Sequence, residues 1–241
     1  MSLTIKNLSK RYGTFTALSE IDLDIRTGES VGLVGLNGAG KTTLLKTIVG
    51  LIVNFEGEVL VHNRAANGRE AKSHISFLPE DFSPPPYLTG YDFVSYMLRL
   101  YGRSFHRNNV DECAGTLELQ QNILSKPIRT YSKGMRQKLG LMAAMLPDTD
   151  VVVLDEPLSG LDPGARMLVK DALSALRTKG KTLFFSSHIL TDLEEIADRL
   201  VIIHEGKNIL DGTPEELRSY SGRSLEDAFL KVIRPQRTPA S

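Results

Sequence analysis

Gly35-Leu36-Asn37-Gly38-Ala39-Gly40-Lys41-Thr42-Thr43 is the stretch from which the rest of the chain is read. The apolar run Ser30-Val31-Gly32-Leu33-Val34 precedes it, and Leu44-Leu45-Lys46-Thr47-Ile48-Val49-Gly50 follows. That order reads as buried strand, glycine loop, then helix. The spacing G-x-x-x-x-G-K-[ST] in this setting marks a phosphate-binding loop. Its glycines let the backbone fold tightly and carry N–H groups up to an anion. The helix aims the positive end of its dipole at the same point. Asn37, Gly38, Ala39, Gly40 and Thr43 are thus candidate phosphate contacts. Lys41 adds a full charge for β- and γ-phosphates, and the Thr42 hydroxyl is a candidate ligand for Mg2+.

Composition sets the outer bounds. With 241 residues, 41% apolar and 24% charged, the chain has enough material for one sizeable core, or a domain with a subdomain. Zero net charge gives no reason to expect nucleic acid or an anionic membrane as partner. Cys113 is the single cysteine, so no internal disulfide forms, and a reducing, cytoplasmic setting is expected. The residues after Met1 lack the apolar segment of a secretory signal, and no run approaches the roughly 18 apolar residues that span a bilayer. Any membrane contact is therefore expected through a partner.

Taken in order, 3–8 and 18–25 alternate and read as strands, with a turn at 10–13 between them. Further strands are expected at 57–61 and 75–79, the latter ending at Pro79, separated by a polar loop through Asn67-Gly68. Three prolines at 84–86 exclude helix and central strand. Residues 89–101, 109–119 and 133–146 carry helical spacing, so about 90–147 reads as a helical insert. Val151-Val152-Val153-Leu154 is a continuous apolar run of the kind found in central parallel strands. Asp162-Pro163 opens a helix, 182–186 is a strand, 190–197 a helix, and 200–203 with 207–210 a hairpin across Glu205-Gly206. Thr213-Pro214-Glu215-Glu216 is a capping box, Ser224 a candidate cap, and 234–241 is expected to be a disordered tail.

Three further constellations carry chemistry. Val151 to Leu154 delivers Asp155 and Glu156 to the carboxyl end of a strand, where ligands of parallel sheets collect. Asp155 is placed to hold Mg2+ and Glu156 to activate an attacking water. His188 ends the next strand, and is either structural or a group that touches a γ-phosphate or orients the water. Tyr131-Ser132-Lys133-Gly134-Met135 precedes a long helix. On its own residues Ser132 is either a plain N-cap or part of a second anion site.

Together these motifs occur in the order seen in ATP-binding-cassette ATPases, and the chain resembles the nucleotide-binding subunit of an ABC transporter over nearly its whole length. The resemblance implies an α/β fold: a P-loop NTPase core with a mostly parallel central sheet, an N-terminal antiparallel β-subdomain and a helical subdomain. Residues 1–89 would hold the β-subdomain and the first part of the core, 90–147 the helical subdomain, and 148–233 the rest of the core. It implies that Tyr12 stacks on adenine, that 35–43 is the Walker A loop, and that Glu80 sits at the Q-loop near Mg2+. Ser132 to Met135 would be the signature, Val151 to Asp155 Walker B, Ser159 to Asp162 the D-loop and His188 the switch histidine. It further implies ATP and Mg2+ as ligands, and two subunits, alike or different, that sandwich ATP so that Ser132 and Gly134 face the partner's nucleotide. A separate membrane-spanning permease would hold the chain on the cytoplasmic face of the membrane.

Two positions depart from the family pattern. Lys133 and Met135 replace a glycine and a glutamine of L-S-G-G-Q, with Lys133 read as facing solvent, and Glu80 replaces the usual glutamine. Both resemble ABC-2 type subunits paired with mostly exporting membrane proteins. Phe82 and Tyr87 are candidates for permease contact or for packing inside the proline-rich loop. The alternatives in function are a soluble ABC ATPase, for example of the iron–sulfur assembly type, and a binding-only regulatory subunit.

Overall fold

The computed structural model describes residues 1–221 and 224–233. The chain opens with β1 (Leu3–Tyr12), β2 (Phe15–Ile25) and β3 (Ser30–Val34), followed by α1 (Lys41–Ile48), β4 (Glu56–Val61), β5 (Arg64–Ala65), α2 (Arg69–Lys72) and β6 (Ile75–Leu78). Four helices follow, α3 (Gly90–Leu100), α4 (Arg107–Thr116), α5 (Gln121–Leu124) and α6 (Lys133–Met145), with a 3-10 turn (Ile128–Thr130) before the last. Next come β7 (Val151–Leu154), α7 (Pro163–Thr178), β8 (Thr182–Ser187) and α8 (Leu190–Ile196). The described residues end with β9 (Arg199–His204), β10 (Lys207–Gly212), α9 (Pro214–Ser221) and α10 (Leu225–Ile233).

These strands form two sheets. An antiparallel sheet runs β2-β1-β4-β5, and a six-stranded sheet runs β10-β9-β3-β8-β7-β6. In the second sheet β6, β7, β8, β3 and β9 are parallel and β10 pairs antiparallel with β9. The apolar runs of β7 and β8 are explained by burial on both faces. Val151, Val153 and Phe184 face a core shared with β1, β2 and α1, while Val152, Leu154, Leu183 and Phe185 face a core shared with α3, α6, α7 and α8. Period-2 alternation thus splits one strand between two apolar layers, as a sheet covered on both sides requires.

Local signals set most element ends. Thr89 caps α3 in a reciprocal box with Asp92, Asp162 caps α7 ahead of Pro163, and Thr213 and Glu216 form the expected box. Ser224 accepts from the backbone of Asp227, as a cap does. Two local readings differ. The strand expected to end near residue 8 continues to Tyr12, because register shifts along the β1–β2 pair absorb its irregular pattern, and Gly13 at φ 58 makes the turn. The polar loop through Asn67-Gly68 contains β5 and α2, both too short to leave a periodic signature. The tail expected at 234–241 lies outside the described residues.

Strand order positions the site. All ends that carry chemistry lie at the carboxyl edge of the parallel strands. Because the order is β3-β8-β7-β6, Gly35, then Ser187-His188, then Asp155-Glu156, then Glu80 follow successive neighbours in the sheet.

Candidate active site

The glycine loop leaves β3 at Gly35 and closes at Gly40, the N-cap of α1, where φ is 110 and no side chain caps the helix. The first N–H groups of α1 are therefore left to a ligand rather than to a cap. Close packing explains the glycines at both ends of the loop. A methyl group on Gly35 would stand 2.5 Å from the Ile203 carbonyl oxygen, and one on Gly40 would stand 2.6 Å from that of Ala17. The β9–β10 turn supports the loop from behind, with the Gly206 N–H donating to the Ala39 carbonyl at 3.0 Å and its carbonyl accepting from Ser19 at 2.8 Å. Lys41 is buried under the loop, and its Nζ donates to the carbonyls of Gly35 at 2.8 Å and Leu36 at 3.3 Å. Those two bonds bend the loop around the ammonium.

A cleft of about 350 Å³ opens over this loop. Asn37, Gly38, Gly40, Lys41, Thr42 and Thr43 line one wall, Glu80, Asp155 and Glu156 another, and Phe15 with Ala17 the rim. Ala39 lies beneath, 5% exposed. Tyr12 is not among the lining residues. It stands 49% exposed with the Lys10 ammonium 4.8 Å from its ring centre, while its cross-strand partner Phe15, 60% exposed, reaches the cleft. An aromatic at the first position of a strand after a turn carries no motif, so Phe15 was invisible in the sequence.

The acidic wall is organised by Ser186. Its hydroxyl donates to Asp155 Oδ1 at 2.6 Å and accepts from the Glu156 N–H at 2.9 Å. Asp155 is 1% exposed, and among the described residues its Oδ2 has no hydrogen-bond partner. A buried carboxylate oxygen without a donor is costly unless a cation meets it. With Thr42 and Glu80 on the same cleft, the donor set is hard oxygen, which suits Mg2+ rather than a softer metal. Glu80 is held above the ordinary carboxylate range, first by burial and then by the charges of Asp155, Glu156 and Asp81, with Lys41 acting against them.

Glu156 is bent into the left-handed region at φ 51, where the chain leaves β7, and is 6% exposed. The His188 Nδ1 meets its Oε2 at 2.7 Å. The carboxylate and the imidazole, expected from the sequence as separate groups, are thus one hydrogen-bonded pair. Gln137 of α6 ties the backbone after it, donating to the carbonyls of Glu156 at 3.4 Å and Pro157 at 3.0 Å. Ser186 and Gln137 stand beside His188 and the Ser132 turn in the sequence, but only the packing of β8 and α6 against β7 gives them a part in the site.

Ser132 lies elsewhere. It caps α6 and accepts from the Met135 N–H at 3.2 Å, exposed and outside the cleft, with Gly134 on the first turn. Lys133 is exposed as expected but does not simply extend into solvent. Its stem crosses the backbone of Gly160, where an added methyl would stand 2.7 Å from Cε. In the proline-rich loop, Phe82 stacks edge-on with Phe93 at 5.5 Å between ring centres, whereas Tyr87 is 75% exposed. Phe82 is therefore a packing residue, and only Tyr87 is offered outward.

The ABC transporter family model matches residues 18–159, from β2 to just beyond Glu156. The chain belongs to the ABC transporter family. It is 37% identical over 204 residues to the uncharacterized ABC transporter ATP-binding protein sll0415 of Synechocystis, covering 83% of this chain and 58% of that one. It is 33% identical to the Nod factor export ATP-binding protein I of Ralstonia nicotianae, covering 89% of this chain and 68% of that protein. A solved ATP-binding subunit of an ABC transporter superposes with a TM-score of 0.88 at 28% identity, over 97% of this chain and all of that one. The chain spans about six-tenths of the length of the two cyanobacterial relatives it matches, at 58% and 61%. As an ABC cassette it has the loop, the paired carboxylates and the histidine on one sheet edge, and the serine of its α6 cap on a separate surface.

Proposed function

We propose that this chain binds ATP with Mg2+ and hydrolyses it as the nucleotide-binding subunit of a two-component ABC exporter. The observation that carries the reading is the Glu156–His188 pair at 2.7 Å, set beside the phosphate loop and the bare Asp155 oxygen. Thr42 and Asp155 would hold Mg2+, with Glu80 beside them. The ion would draw charge from the β- and γ-phosphate oxygens. Lys41 and the N–H groups of the loop and α1 orient the phosphates. Glu156 accepts a proton from a water attacking the γ-phosphorus as the bond to the bridging oxygen breaks. His188 holds that carboxylate by its Nδ1–H, so that the acceptor oxygen stays aimed. The aromatic edge for the adenine would be Tyr12 together with Phe15.

Closure would come from a second nucleotide-binding subunit, whose Ser132 and Gly134 would reach the γ-phosphate bound here. The exposed position of Ser132 outside its own cleft supports that reading. Among the described residues no helix is long and apolar enough to cross a membrane, so attachment at the cytoplasmic face would run through a separate permease. The export sense rests on the Nod factor relative and on the Glu80 and Lys133 departures. The test is Glu156→Gln. Turnover should fall by at least about 100-fold, the lower range of general-base catalysis, while ATP binding persists. Wild-type phosphate release from that variant overturns the assignment.

A further inference from the structure

His62, His74 and Asp150 meet at the opposite end of the sheet from the phosphate loop. His74 and Asp150 immediately precede β6 and β7, whose pairing starts at Ile75 and Val151, with the Val151 N–H donating to the His74 carbonyl at 3.0 Å. His62 comes from the antiparallel sheet, in the two-residue turn between β4 and β5. Its N–H donates to the Ser2 carbonyl at 3.0 Å, which holds the turn in place. Three separate parts of the chain therefore deliver one ligand each: the β4–β5 hairpin, the edge strand of the core and the segment returning from α6.

The ligand atoms all lie within 4.8 Å of one another. His74 Nδ1 is 2.6 Å from Asp150 Oδ2, and His62 Nε2 is 3.7 Å from that same oxygen. The latter gap is too wide for a hydrogen bond. It is close to the separation of about 3.3 Å between two ligands of a tetrahedral zinc with bonds near 2 Å. Among the described residues, His62 Nε2 is a buried nitrogen without a hydrogen-bond partner. The two imidazole rings stand edge to face with centres 5.3 Å apart, so both present nitrogens to the carboxylate without stacking over it.

The geometry points to a binding site for a borderline divalent transition metal of the zinc class, held by His62, His74 and Asp150. Two imidazoles and one carboxylate select zinc, nickel, cobalt or copper over the oxygen-seeking Mg2+ and Ca2+. The ion enters between His62 and Asp150; the proton that His74 Nδ1 shares with the carboxylate passes to Nε2 of the same ring, so that a neutral imidazole ligates through Nδ1. Arg64, whose Nη1 lies 3.2 Å from His74 Nε2, then turns to Glu70, already 3.1 Å from its other amino nitrogen. A fourth position is left to water. Such an ion ties the antiparallel sheet, the core and the helical insert's return at one point.

Cobalt is the probe, because its visible absorption reports coordination, and zinc is the competitor. The metal-free full chain should bind one equivalent of Co2+ with new visible bands that zinc abolishes, and zinc should raise its melting temperature. His62→Asn suits this turn, since His62 and Asn63 sit at φ 48 and 62 and asparagine tolerates that conformation. His62→Asn and His74→Gln should each weaken Co2+ by more than about tenfold, the least that losing even an outer-shell partner typically costs. Both should keep ATP binding, which shows that they are folded. No visible band with wild type, or undiminished binding in the double variant, overturns the site.

Discussion

Glu80, just past β6, is partly buried and faces Asp81 beside it and Asp155 and Glu156 at the end of neighbouring β7, and its raised pKa states the cost of that burial and crowding. The sign follows directly. The folded chain holds this proton more tightly than the unfolded chain, so the contribution is favourable below the ordinary carboxylate pKa and is lost as pH rises through the folded value. Glu80→Gln removes a charge the fold resists. Urea unfolding should therefore show the variant more stable than wild type at pH 7 and equal to it near pH 4; equal curves at pH 7 refute the crowding. Ser186 is the opposite case, a neutral group on which two charged neighbours depend. Ser186→Ala strips Asp155 Oδ1 and the Glu156 N–H of their buried partner, at a cost of about 1–3 kcal/mol, read from the urea midpoint. It should also slow phosphate release, because the backbone turn that aims Glu156 loses its anchor.

Among the elements, the glycine loop packs on the β9–β10 hairpin, since Gly35 presses against the Ile203 carbonyl of β9 and the Gly206 N–H donates to the Ala39 carbonyl, while Gly40 presses against β2 at Ala17. Gly40 carries two constraints together: a left-handed φ of 110 and an approach of 2.6 Å between an added methyl and the Ala17 oxygen. Gly40→Ala should push the loop off α1 and abolish binding of a fluorescent ATP analogue. Circular dichroism should be retained, because β3 and α1 are each buried independently of the loop. Full nucleotide affinity in that variant would mean that the loop bends elsewhere. Helices α3 and α6 were legible because both are long, α3 with one apolar face and α6 with a capped, largely apolar run. The α5 helix and 3-10 turn between them were not, since four or three residues carry no period.

For the whole molecule, neither Ser132 nor Gly134 lines the cleft that holds the phosphate loop. If a second subunit supplies them, ATP should double the mass of the Glu156→Gln chain in light scattering, and adding Ser132→Glu should keep it single by setting a carboxylate against the γ-phosphate. A Glu156→Gln chain that stays monomeric at saturating ATP refutes self-pairing and points to a different partner subunit. Lys133 enters here as well. Its stem lies over Gly160, so the turn at the start of α6 touches the segment that follows Glu156.

The sequence by itself determined the loop, the terminal carboxylates of β7 and the apolar strands, because each depends on residues adjacent in the chain: glycine freedom, helix dipole and strand period. It also placed His188 at the end of the strand that follows. What it left open was how these groups face one another. Only tertiary structure decided that His188 bonds Glu156, that Ser186 joins Asp155 to Glu156, that Phe15 reaches the cleft, and that His62, His74 and Asp150 meet at the far edge. The physical reason is strand order. Placing β8 between β3 and β7, and β6 outside β7, is a choice made by burying both faces of one sheet, and no local pattern encodes it.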